Sequence, residues 1–282
     1  ITLSGNDTAK ESYITNRIGL KPDKLVDLPG LEQDLQRFNR TNDAQLRAEL
    51  KPGTKFGTTD LQLSVTEPPR HDLRAFIDNS GVEATGEWRA GLIYTNRSLL
   101  GYRDDLSLSV TRAVGQESYS LGYGFPFNTY GGRLSLAYYK DYTQIRYGPL
   151  ASLDLTGESA AGVISLRQPV HFGERSQIDL LGGLKSRRSE NWVSGVFLQR
   201  TDTEDASVGA EAQLVDANGF WLATYNFVSG RSYTVDRDNF TLSRASLRRN
   251  HNLDKQWSVR GNLTVQHTRD RLLPPSQQMF IG

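Results

Sequence analysis

The sequence predicts two unlike parts: a compact α+β module of order βααββ over residues 1–67, then an antiparallel transmembrane β-barrel, in its N-terminal part, over residues 68–282. Three observations carry this reading. Helical periodicity is confined to the first part. From Arg70 onward apolar and polar residues alternate with a period of two, in about eleven segments of roughly the 9–11 residues that cross a bilayer at a tilt. The long links between those segments fall on one side only.

Bulk properties narrow the function classes. The chain has 282 residues with 33 Lys+Arg against 32 Asp+Glu, so no basic footprint points to nucleic acid. Cysteine is absent, which removes disulfides, thiol nucleophiles and Cys-ligated zinc. Mean hydropathy is −0.52 and no run reaches the ~20 apolar residues of a spanning helix, but a β-barrel hides its apolar half in alternation. The opening "ITLSGNDTAK" lacks the charged start, apolar core and cleavage site of a signal peptide.

The module reads in order. "ITLSG" is a short strand. Asn6 or Asp7 caps a helix that places Ile14 and Ile18 one turn apart. "KPDKLVDLPG" breaks the chain, and Asp27 caps a second helix with Leu28, Leu31, Leu35 and Phe38 at helical spacing. "QLRAELK" and "DLQLSVTE" then alternate as two strands, and Pro68 and Pro69 make a stiff exit. A three-stranded sheet covered by two helices on one face satisfies this pattern.

The alternating segments centre near Ala75, Leu92, Leu108, Leu121, Leu136, Ile164, Leu180, Ala210, Thr224, Leu242 and Leu263. A soluble sandwich also alternates, so the polar face discriminates. Here it carries Gly, Ser, Asn, Gln, Glu and Arg along whole strands, while Trp88, Tyr94, Phe125, Tyr138, Trp221, Phe227 and Trp257 gather towards strand ends, as in the aromatic girdles of a barrel in lipid. The links "RSLLGYRD", "FNTYGG", "HFGER" and "DAN" are short. The opposite set includes "YTQIRYGPLASLDLTG", "SENWVSGVFLQRTDTE" and "SGRSYTVDR". Outer-membrane barrels keep short turns on the periplasmic side and long loops outside, so the module is expected in the periplasm.

With these elements placed, the sequence resembles the two-partner secretion transporters of the outer membrane, the TpsB or haemolysin-activator type (FhaC- and ShlB-like), within the wider superfamily of POTRA-bearing barrels. "LEQDLQRFNRTNDAQLRAELKPGTKFGTTDLQLSVTEPP" is similar to the second POTRA domain of that family, with its helix, its PG-x-x-x-G-x-[ST]-D-L strand pair at Pro52, Gly53, Gly57, Thr59, Asp60 and Leu61, and an acidic-proline exit at Glu67. "DNSGVEATGEWRAG" resembles the first barrel hairpin. "LPPSQQMFIG" resembles the approach to the family's signature loop. The resemblance implies roughly sixteen strands, of which about eleven are here, so the chain is expected to be the middle of a longer protein.

The resemblance further implies a monomeric pore in outer-membrane lipid that exports an unfolded partner exoprotein, with no cofactor and no nucleotide; no phosphate-loop motif occurs. The second module strand is the expected capture edge, through Gln45, Arg47, Glu49 and Lys51, by strand addition; the same charges would also protect an edge from aggregation. Pro52, Gly53, Gly57 and Asp60 are expected to shape the turn. Arg89, Glu211, Arg260 and Gln266 are expected to line the lumen, either as a path for the chain or as a brace of the wall. No metal-ligand or catalytic spacing stands out among His71, His171, His251 and His267, so no enzyme is expected. A barrel-assembly factor of the same superfamily, or a passive porin or surface adhesin, remains the alternative.

Overall fold

The computed structural model describes residues 2–19, 25, 27–234, 237–254, 256–270, 273–274 and 277–278. The first part folds as β1 (Thr2–Ser4), α1 (Glu11–Thr15), α2 (Leu28–Thr41), β2 (Gln45–Pro52) and β3 (Thr59–Thr66). The three strands lie in the order β1-β3-β2, with β1 parallel and β2 antiparallel to the central β3. Asp27 starts α2 by accepting the Gly30 N–H at 3.2 Å, with Pro29 in the first turn where its missing N–H costs nothing. The start of α1 differs from expectation: Lys10 is the N-cap residue and makes no side-chain cap. The nearby N–H groups of Thr8 and Ala9 instead donate to the Glu67 carboxylate at 2.8 and 3.0 Å, an acceptor brought from the far end of the module.

Tyr13, Ile14, Ile18, Leu31, Phe38, Leu46, Leu61, Leu63 and Val65 close the core between helices and sheet. Burying each large side chain contributes about 1.5–3 kcal/mol. Leu28, expected on the same helical stripe, is 54% exposed at the helix start.

The second part is one antiparallel meander: β4 (His71–Asp78), β5 (Arg89–Asn96), β6 (Asp105–Ala113), β7 (Gln116–Pro126), β8 (Arg133–Gln144), β9 (Leu155–Phe172), β10 (Ser176–Val193), β11 (Val196–Asp216), β12 (Gly219–Tyr233), β13 (Arg237–Asn252) and β14 (Ser258–His267). Each strand pairs with its sequence neighbours in an 11-stranded sheet, and every expected centre lies in its own strand. The sheet is open, with β4 and β14 at its edges.

Two expected loops are not loops. "SENWVSGVFLQRTDTE" continues the β10–β11 ladder to a tight turn at Ser194 and Gly195, whose φ values of 49° and 76° are the paired left-handed positions such hairpins need. "SGRSYTVDR" falls largely within β12, whose ladder with β13 starts at Tyr233↔Arg237. Extending the ladder satisfies backbone groups that a long loop would leave to water. The strands therefore lengthen from 8 residues in β4 to 21 in β11.

Register separates two faces. Tyr94, Leu108, Leu121 and Tyr138 are cross-strand neighbours on one, as are Leu136, Ile164 and Leu184. Most of these are exposed, so this outer face is an apolar surface without protein cover. Gly91, Thr111, Ser118 and Asp141 follow one another across the inner face. Outer-face apolar residues give way to ion pairs further along the long strands: Lys140–Glu158 at 2.8 Å, Glu204–Arg231 at 2.9 Å and Arg188–Asp202 at 3.0 Å. No helix among the described residues is long and apolar enough to cross a membrane, which says nothing of crossing by strands.

Candidate functional site

β2 is an edge strand, paired only with β3. Residues of an antiparallel strand alternate between pairing across the ladder and pointing both backbone groups away from it. The Leu46 N–H donates to the Asn39 side-chain oxygen at 2.6 Å, and the Asn39 amide returns a bond to the Leu46 carbonyl at 3.0 Å. Leu46 therefore points away from β3, and so by parity do Ala48, Leu50 and Pro52. Asn39 occupies the first of these positions and Pro52 has no N–H. The open donors of the edge reduce to Ala48 and Leu50.

Gln45, Arg47, Glu49 and Lys51 stand exposed on the face away from the helices. Lys51 contacts Gln62 at 2.7 Å and Glu49 at 3.3 Å, and Gln45 reaches the Asn39 carbonyl at 3.4 Å. Beyond Pro52 the Gly53 N–H donates to the Thr58 carbonyl at 2.9 Å, closing the turn, and Gly57 takes φ 75°, a left-handed conformation suited to glycine. Asp60 lies opposite Lys51 in register.

The module is joined to the large sheet at three separate turns. In the β5–β6 turn, Arg103 is almost fully buried (side chain 1% exposed) with φ 54°. It donates to Asp43 and to Thr8 Oγ1 at 3.0 Å, and lies 3.6 Å from Glu67, whose side chain is 3% exposed. The same turn gives its Gly101 carbonyl to the Lys10 N–H at 2.8 Å and its Ser98 hydroxyl to the Thr8 carbonyl at 3.2 Å. Asp104 holds the turn in shape by accepting the N–H groups of Leu100 and Tyr102 and the Tyr123 hydroxyl.

At the β7–β8 turn, Arg17 donates to the Asn128 carbonyl at 2.8 Å while stacking on Tyr13 at 3.6 Å, and Arg37 lies over the Tyr130 ring. Gly131, with φ 85°, passes so close to Thr41 that a Cβ there would lie 2.3 Å from its methyl group. At the β9–β10 turn, Arg40 donates to the carbonyls of Ser176, at 2.8 Å, and Glu174. Burial pushes the Tyr13 phenol pKa above its ordinary value against the opposing pull of Arg17, and burial lowers that of the Arg17 guanidinium.

On the inner face the four sequence-selected residues do not converge. Arg89 is held by Asp78 at 2.6 Å. Glu211 accepts from Arg167 at 2.7 Å, and Arg167 also pairs with Asp179, which is 3% exposed. Gln266 accepts from Arg244 at 2.8 Å and donates to the Gln277 carbonyl at 3.0 Å. Arg260 stands exposed opposite Asn250 on the edge strand β14. Gln277 reaches Asp205 at 3.0 Å, and Leu273 packs on Val228, Phe240 and Leu242. The segment "LPPSQQMFIG" thus starts against the inner face; its residues 275, 276 and 279–282 lie outside the described residues. Sequence reasoning missed Arg103, Arg167 and Asp179, whose partners come from other strands or from the module.

A βααββ module with one free sheet edge, held by the β5–β6, β7–β8 and β9–β10 turns of an antiparallel meander with one apolar and one polar face, defines a module-bearing β-sheet protein of the kind that crosses membranes by strands. Residues 57–282 match the family described as haemolysin secretion/activation protein ShlB/FhaC/HecB, and the chain belongs to it. Among curated relatives, the outer membrane transporter CdiB of Dickeya dadantii (strain 3937) is 25% identical over 214 residues, 72% of this chain and 37% of that protein. Hemolysin transporter protein HpmB of Proteus mirabilis is 26% identical over 206 residues, 70% of this chain and 33% of that protein. The chain therefore spans about a third of the length of these relatives.

Solved structures share the fold. CdiB from Escherichia coli matches with a TM-score of 0.77 at 19% identity, over 96% of this chain and 54% of that one. BamA from Haemophilus ducreyi lacking POTRA domains 1–3 matches at 0.56 and 13%, over 95% and 55%.

Proposed function

We propose that the protein is an outer-membrane pore that recognises an unfolded partner exoprotein in the periplasm and exports it without nucleotide hydrolysis, driven by folding of the partner outside. Residues 1–67 act as a POTRA domain, the second of its family, and residues 68–282 as the N-terminal part of the barrel. The observation that carries this reading is the β2 edge, with open main-chain positions at Ala48 and Leu50, fixed beside the polar inner face by contacts to three turns. An extended partner segment adds as a strand there, and Arg47, Glu49 and Lys51 flank it to set which sequences are accepted.

Arg89, Glu211, Arg260 and Gln266 line the lumen in this reading, and the ion pairs brace its wall. The exposed apolar face meets lipid. In a bilayer each free sheet edge leaves a row of unpaired backbone groups costing several kcal/mol apiece, so the pore requires further strands that bridge β14 back to β4. The pore is a monomer and needs no cofactor.

The test is deletion of the intact gene in its host, followed by mass spectrometry of medium and periplasm. Loss of one large exoprotein from the medium, with its fragments in the periplasm, supports export. A general fall in outer-membrane barrels makes the protein an assembly factor instead. No change in either compartment refutes both and leaves a passive channel or adhesin.

A further inference from the structure

The contacts between module and sheet are more numerous and more deeply buried than a flexible tether requires. Three turns, separated along the chain by dozens of residues, each meet the module: the β5–β6 turn meets Thr8, Lys10, Asp43 and Glu67, the β7–β8 turn meets Arg17 just after α1 and α2 through Arg37 and Thr41, and the β9–β10 turn meets the end of α2 through Arg40. Three separate attachment points resist rotation as well as translation.

The central contact is chemically committed. Arg103 buries its guanidinium between two carboxylates, one of them itself buried, and holds a left-handed backbone conformation that an L residue adopts only at a cost. Releasing the module would take the buried Arg103 guanidinium away from both of its carboxylates, Asp43 and Glu67. Glu67 is also the last residue before the Pro68-Pro69 exit, so the contact sits where a hinge would have to be.

From this we infer that the module is a fixed seat and not a swinging arm, and that Arg103 is the positioning residue that sets the β2 edge at one place and angle relative to the inner face. The seat follows from the geometry alone; its role in export rests on the function proposed above. A captured strand is then delivered in a constant direction, and whatever moves during export lies elsewhere in the protein.

The 282 residues contain no cysteine, so thiol labels can be placed in them at will. The experiment uses the intact protein in lipid bilayers, with spin labels at Thr54→Cys on the module hairpin and Asn218→Cys in the β11–β12 turn, read by pulsed dipolar spectroscopy. The expected result is one narrow distance for the parent and a broad distribution for Arg103→Ala. Arg40→Ala, which loses two carbonyl contacts and no ion pair, serves as a milder second variant should Arg103→Ala fail to fold, as judged by heat-modifiable gel mobility.

In the host, loosening the seat lowers export about tenfold at unchanged affinity for the partner, since misplacement costs rate and not capture. A cleavable thiol cross-link between Arg37→Cys and Tyr130→Cys in the Arg103→Ala background restores the narrow distance and the export, and reductant removes both. A broad distance in the parent, or a distance unchanged in both variants, overturns the seat. A broadened distance with undiminished export, or export abolished by the cross-link in the parent background, overturns the positioning role. If the parent exports nothing, the proposed function fails, and the seat is judged on the distances alone.

Discussion

Replacing Asn39 with Ala separates the stability of β2 from its availability as an edge. Asn39 supplies one acceptor and one donor to the same residue, at 2.6 and 3.0 Å, in a partly buried position. Each bond contributes about 0.5–1.5 kcal/mol net, and Ala recovers about 0.6 kcal/mol as the better helix former, so the expected loss is about 1–2 kcal/mol. At about 1.4 kcal/mol per factor of ten, the Leu46 amide should exchange with deuterium roughly 5- to 30-fold faster while the central β3 amides keep their protection. The same substitution opens a third outward pair on the edge, so a partner segment should bind more tightly to a less stable module. Hydrogen exchange of the intact protein, read on peptides spanning residues 45–50, together with partner binding by surface immobilisation, measures both. A Leu46 amide as protected as in the parent would falsify the parity assignment, and with it the claim that Ala48 and Leu50 are the open positions.

Other perturbations read other parts of the structure. Glu67→Ala leaves the buried Arg103 with Asp43 as its one carboxylate partner and strips the Thr8 and Ala9 N–H groups of their acceptor; calorimetry should find a loss of about 3–5 kcal/mol, and less for Glu67→Gln. Arg167→Ala leaves Asp179 and Glu211 without their shared cation, and the gel-mobility transition of the intact protein should move to lower temperature, by more than for Thr224→Ala, which removes only a hydroxyl 3.4 Å from Glu211. Tyr13 keeps its proton above the pH at which a free phenol loses it, about 10. Its folded pKa is raised, so its contribution is intact below that pH and stability falls as pH rises beyond it. Tyr13→Phe should remove that part of the alkaline loss, and an unchanged profile counts against it.

Much of the fold was legible because it rests on local periodicity. Alternation alone placed every strand of the large sheet, since one face is apolar along the middle of the strands and a slip of one residue would invert it. The cap of α2 was readable from Asp27, three residues before the N–H it accepts. The start of α1 was not: Lys10 stands at its N-cap with no side-chain cap, and the N–H groups just before it go to Glu67, about 60 residues away in sequence, a partner no local pattern announces. The same limit hid the seat. Arg17 and Asn128 are 111 residues apart, and Arg103 in "RSLLGYRD" looks like any solvated turn residue. The tall β10–β11 hairpin was misread as a loop because its charged residues resemble linker composition, although their alternation persists to the Ser194-Gly195 turn.

The change from apolar residues to ion pairs on the outer face acts as a waterline. On β11 the outward residues Ala206, Val208, Ala210, Ala212 and Leu214 lie between Glu204, paired with Arg231, and Asp216, paired with Arg249. That stretch measures about 30 Å along the strand and roughly 20–25 Å of height at the tilt usual in barrels, close to the apolar band such proteins show. In the membrane pore proposed above, charge stationed at both margins gives the protein one depth at which it floats. Raising it drags Asp216 and Arg249 into hydrocarbon, and lowering it drowns Glu204 and Arg231. Everything above the upper mark, including the β10–β11 tip with its exposed Val196, Phe197 and Leu198, stands permanently clear of the membrane as a one-sided parapet, tall beside β11 and low beside β4.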